Sequence, residues 1–134
     1  MTKEEFLKKC KKTLKRKKVK IKNRREGAMN NQEDINLCDF PGIYIILQDD
    51  KVIYIGSAEA GERCVSDRLK QYWWNSATGN TLANALVRKN GYSFSDALED
   101  IKKCKFMAFE YKELEYELIN QCQGLINYSG NGQR

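Results

Sequence analysis

Phe6, Cys10 and Leu14 recur at intervals of four among lysines, which puts them on one face of a helix over residues 3 to about 17. Thr2 and Glu5 supply the capping-box pattern that starts such a helix. The period then breaks. Residues 23–40 (NRREGAMNNQEDINLCDF) are polar and irregular, so 26–40 are expected to form a connecting loop that Pro41 and Gly42 end. Residues 42–48 and 51–56 are dense in Ile, Val and Tyr and meet around Asp49-Asp50, which predicts a β-hairpin. A segment containing Gly61 leads to a helix near 62–73, ending in Trp73-Trp74. Residues 81–89 (TLANALVRK) predict another, with Gly91 as its C-terminal stop, and Ser95 caps a short one through Lys103. CKFMAFEY, 104–111, predicts a third strand, and KELEYELINQC, 112–122, alternates apolar and charged faces as a last helix. The expected class is α+β: a small three-stranded antiparallel sheet flanked by helices, with a basic N-terminal helix.

Charge sharpens this division. The chain has 134 residues, enough for one self-sufficient domain and an arm. Residues 1–25 carry thirteen Lys and Arg against two Glu, a net +11, whereas residues 26–134 sum to −5. A basic arm (1–25) followed by an acidic remainder, divided into a connecting loop (26–40) and a body (41–134), is therefore expected, the arm attracting a polyanion. Its bland alternative is a solvated lysine-rich helix. No apolar run approaches the length of a membrane span and no secretion signal opens the chain, so a soluble cytoplasmic protein with no membrane partner is expected. Five cysteines without a C-x-x-C pair argue against disulfides. Histidine is absent altogether, which excludes His-assisted nucleophiles and His-bearing zinc sites. Any hydrolytic chemistry must run on Tyr, Glu, Asp, Lys or Arg.

Five positions in order carry such chemistry: Gly42-Ile43-Tyr44, Tyr54-Ile55-Gly56, Arg68 in Arg68-Leu69-Lys70-Gln71-Tyr72, Glu115 in an E-x-x-L-I run, and Asn127. In this order the chain resembles the GIY-YIG nuclease family over residues 41 to about 128. The resemblance implies a GIY-YIG-like domain and a metal-dependent DNA endonuclease, with Tyr44 as general base and Tyr54 positioning water or phosphate. It further implies Arg68 on the phosphate, Glu115 as ligand to Mg²⁺ (or Mn²⁺), and Gly42, Gly56, Tyr72 and Asn127 in support. Homing, restriction, repair, phage and mobile-element enzymes use this domain, usually with an added recognition module. None is visible here, so recognition would come from a protein partner or from a further part of a longer protein.

The same residue types suit phosphodiester hydrolysis without the name. A guanidinium offers two aligned donors to the phosphorus oxygens. A lone carboxylate suits Mg²⁺, which keeps several waters. With no histidine, a phenol becomes a candidate base, and a nearby Arg⁺ and metal favour its phenolate. DNA contacts are expected from Lys8, Lys9, Lys11, Lys12, Lys15, Arg16, Lys17 and Lys18 of the arm, and from Lys70. Alternatives stay open at each position. Tyr44 and Tyr54 also read as a packed cross-strand pair, Arg63 competes with Arg68, and Glu113 and Glu117 compete with Glu115. The stretch from Tyr54 to Arg68 is longer than the family commonly shows. Tyr72 stands where several relatives carry His, Ser57 where some carry Lys, and Gly124 where Pro is frequent. A catalytically weak or inactive nuclease-like DNA-binding module is the alternative function.

Overall fold

Asp49 and Asp50 both adopt positive φ (49° and 66°), the two-residue turn that matches the twist of a tight hairpin. They join β2 (Gly42–Gln48) to β3 (Lys51–Ala58). The computed structural model describes residues 1–18, 20–58, 64–76, 78–111 and 125–126. Its element order is α1 (Lys3–Lys17), β1 (Arg24–Ala28), α2 (Gln32–Asn36), β2, β3, α3 (Val65–Gln71), α4 (Thr81–Asn90), α5 (Phe94–Lys103) and β4 (Lys105–Phe109). The expected last helix, 112–122, lies outside the described residues.

Among the described residues the sheet has four strands rather than three, antiparallel throughout, in the order β1-β4-β2-β3. The added strand, β1, runs RREGA across the boundary expected between arm and loop and pairs Arg24 with Phe109 through Ala28 with Lys105. It lacks β-branched residues; what makes it a strand is the open edge of β4. Its first three side chains are exposed charges, which suits an edge strand. The rest of the expected loop is also ordered. Asn31 caps α2, Ile35 is buried, and the Asp34 carboxylate accepts the Ala28 N–H at 3.1 Å. On the opposite edge, Ile126 donates its N–H to the Ile53 carbonyl at 2.7 Å.

Central strand β2 is buried along six of its seven residues, because helices cover both faces of the sheet. One face carries Tyr44, Ile46, Tyr54, Phe106 and Ala108 under α2, α3, α4 and α5. The other carries Ile43, Ile45, Val52, Ile55, Met107 and Phe109, and α1 covers it with Phe6 and Cys10. The predicted capping box closes the start of α1, where Glu5 N–H donates to Thr2 Oγ1 at 3.2 Å. Ahead of it, Met1 accepts the Val52 N–H and Lys3 donates to the Asp50 carbonyl, tying the N-terminus to the hairpin. The basic helix is thus part of the body's core, not an arm beside it. Farther along, Ser93 rather than Ser95 caps α5, and Gly91 ends α4 at φ 70°. No helix among the described residues is long and apolar enough to cross a membrane.

Candidate active site

The register across the hairpin sets Tyr44 against Gly56 and Ile46 against Tyr54. The two tyrosines share a face of the sheet but lie diagonally, not directly opposite as their spacing suggested. This diagonal has a steric reason. A Cβ at Gly56 would fall on the Tyr44 phenol, so the glycine of the second tripeptide makes room for the tyrosine of the first. Gly42 is needed for a different approach: a Cβ there would strike the Phe109 carbonyl oxygen of β4.

Tyr72, the C-cap of α3, fills the space between the diagonal pair. Its ring centroid is 6.0 Å from Tyr44 and 5.9 Å from Tyr54, the latter edge-on at 76°. The Tyr44 and Tyr72 hydroxyls are hydrogen-bonded to each other, and both residues are fully buried. Tyr54 instead bonds the exposed Thr81 hydroxyl at 3.0 Å, at the start of α4. Arg68 lies one turn before Tyr72 on α3, half-buried, and its Nη1 donates to Gln71 Oε1 at 3.0 Å. Fully buried Asn80 fixes the path between these parts. Its amide donates to the carbonyls of Tyr72 and Trp74, each at 3.1 Å, while its oxygen caps α4 at Ala83.

Burial is the largest influence on the Tyr44 phenol and raises its pKa; Tyr54 adds to this, and Arg68 with the Tyr72 hydrogen bond pulls it back only in part. The expectation that Arg68 favours the phenolate therefore holds in sign but is outweighed. Tyr72 is raised well above its ordinary value by the same burial and by both neighbouring tyrosines. For Arg68, burial works against the charge, but Tyr44, Tyr72 and Tyr54 outweigh it and raise the pKa, so the guanidinium stays charged. Both phenols of the buried pair are neutral at neutral pH.

Tyr44, Tyr54, Arg68, Gly56 and Tyr72 are thus brought together, with Lys70 partly buried on the same short helix as Arg68. Glu115, Asn127 and the rival residues Arg63, Glu113 and Glu117 lie outside the described residues. Among the described residues no cluster of three or more His, Cys, Asp or Glu offers a metal ligand set of its own. Lys8, Lys11, Lys12, Lys15, Arg16, Lys17 and Lys18 are exposed and Lys9 partly so, but α1 covers the opposite face of the sheet from the tyrosines. At least the thickness of a helix, about 10 Å, and the sheet itself separate its outer lysines from Tyr44.

Sequence reasoning missed Gln71, Asn80 and Thr81. Asn80 had a local signal, as a cap residue directly before the apolar period of α4. Thr81 had none, because its partner Tyr54 is distant in sequence. No family model, curated protein or solved structure matches the chain.

Gly56→Ala is expected to cost about 1–3 kcal/mol by overpacking, since the new methyl group falls on the fully buried Tyr44 ring. Urea unfolding followed by tyrosine-sensitive near-ultraviolet dichroism checks this. Unchanged stability and spectrum would mean that the Tyr44 ring is not held over Gly56.

Proposed function

We propose that the chain is a metal-dependent DNA endonuclease of the GIY-YIG type, as the order of its motifs suggests. The observation that carries this reading is the convergence of Tyr44, Tyr54 and Tyr72 with Arg68 on one face of the sheet, over a glycine that only this packing requires. Arg68 would hold the phosphorus oxygens, with Gln71 fixing its fork and Thr81 fixing the Tyr54 phenol. The phenolate form of Tyr44 would accept the proton of the attacking water while the water oxygen bonds phosphorus; the bond to the leaving sugar oxygen breaks, and that oxygen takes a proton from solvent. Glu115 would hold Mg²⁺ or Mn²⁺, which supplies positive charge to the phosphate when bound. Lys70, on the helix of Arg68, is the lysine best placed to meet DNA at this face; the lysines of α1 form a second basic surface for long-range attraction.

The complete burial of Tyr44 and Tyr72 favours the second reading, a DNA-binding module whose tyrosines only pack. Incubation with supercoiled plasmid, with and without Mg²⁺ and at several salt concentrations, separates the two. Metal-dependent nicking or cutting that Glu115→Gln abolishes is the expected outcome. The pH profile tests the base: a phenol with a raised pKa gains phenolate as pH rises through neutrality, so the rate should climb with pH, and Tyr44→Phe should lose about 10²–10⁴-fold. Plasmid left intact with either metal would support the binding module, and a flat profile would remove Tyr44 as the base.

A further inference from the structure

Beyond the tyrosine face, the chain leaving α3 and the side of α5 enclose a cleft of about 330 Å³. Tyr72 lines it, so it adjoins the residue that joins the two motif tyrosines. Its walls divide into two chemistries. Trp73, Leu98 and Ile101 give it aromatic and aliphatic surface, whereas Asn75 and Ser95 give it groups that both donate and accept hydrogen bonds. Trp73 is only partly buried, so it offers ring surface to the cleft, while its indole N–H is buried away from it.

We propose that this cleft is a nucleobase site, taking the base of a nucleotide turned out of the strand beside the candidate active site; in assigning a nucleic-acid ligand, it rests on the nuclease reading. A base is flat and apolar on its faces and polar only at its edge. Apolar walls with a few polar groups among them fit that distribution. A base stacks on aromatic surface whatever its identity. The volume is at the small end for a ligand pocket and suits one ring system rather than a chain of them. Glu99 and Lys102, also in the lining, pair with each other at 3.1 Å and leave no lone charge in the cleft.

The chain has two tryptophans, so the ¹⁵N-labelled full chain gives two indole N–H resonances, told apart with Trp74→Phe. The probes are thymidine, adenosine and base-free 2-deoxyribose 5-phosphate, added without metal. The nucleosides should move the Trp73 resonance, and the base-free sugar phosphate should not. Trp73→Ala removes the aromatic wall, and it should weaken nucleoside binding about tenfold or more, the worth of one stacking contact. Leu98→Ala should weaken it independently, and Arg68→Ala should leave it unchanged. A Trp73 resonance unmoved by either nucleoside, or moved equally by the sugar phosphate, overturns the cleft. Binding in a protein that cuts no plasmid supports the cleft and removes the nuclease; cutting without any response at Trp73 removes the cleft alone.

Discussion

Arg68→Ala is expected to slow plasmid cleavage by about 10²–10³-fold, the usual cost of losing one preorganised donor to a developing oxyanion. Arg68 lies one helical turn before Tyr72, which brings a permanent positive charge to the buried phenol pair. Its bond to Gln71 holds the guanidinium in place and uses one of five donors. Lysine cannot replace this fork, so Arg68→Lys should recover little. A second consequence separates a catalytic loss from a structural one. Arg68 is a group that pulls the Tyr44 pKa down, so its removal should push the residual activity to higher pH. Arg63→Ala serves as the control and should cut normally. Normal cutting by Arg68→Ala with an inactive Arg63→Ala would transfer the role to Arg63.

Phe6→Ala should destabilise the fold by about 3–5 kcal/mol, the range for truncating a buried aromatic. Phe6 is fully buried, with its ring 6.3 Å from Phe109 and a tilt of 35°. Ile43, Ile45, Val52 and Met107 complete its surroundings on that face of the sheet. Such a loss is a large fraction of the roughly 5–15 kcal/mol that usually holds a domain together. Urea unfolding measures it directly, and a midpoint unchanged from wild type would return α1 to the status of a free arm. The same packing decides how a DNA role for α1 can be tested. Deleting residues 1–25 would uncover a sheet face and remove Arg24 and Arg25 from β1. Replacing exposed Lys8, Lys12 and Lys15 by Gln leaves the Phe6 face in place and removes only charge.

The features legible in the sequence are those whose causes lie within a few residues. The capping box at Thr2 and Glu5, the Asp49-Asp50 turn and the Gly91 stop each depend on near neighbours, and each is present as expected. Density in Ile, Val and Tyr likewise predicted the hairpin, and the run CKFMAFEY the third strand, from the chain alone. The motif order singled out Tyr44, Tyr54, Arg68 and Tyr72, which the fold brings together. What only the tertiary structure decided depends on partners far along the chain. RREGA becomes a strand because β4 offers it an edge, and the Phe6 face of α1 is inside because the sheet's second face needs a cover. That cover sets the basic helix and the tyrosines on opposite sides, a separation that charge counted along the sequence cannot contain. The diagonal of Tyr44 and Tyr54 follows from strand register, and the raised phenol pKa follows from burial by helices distant in sequence. Spacing thus determined which groups the chain brings to the site, while non-local packing decided which of them meet water, each other or neither.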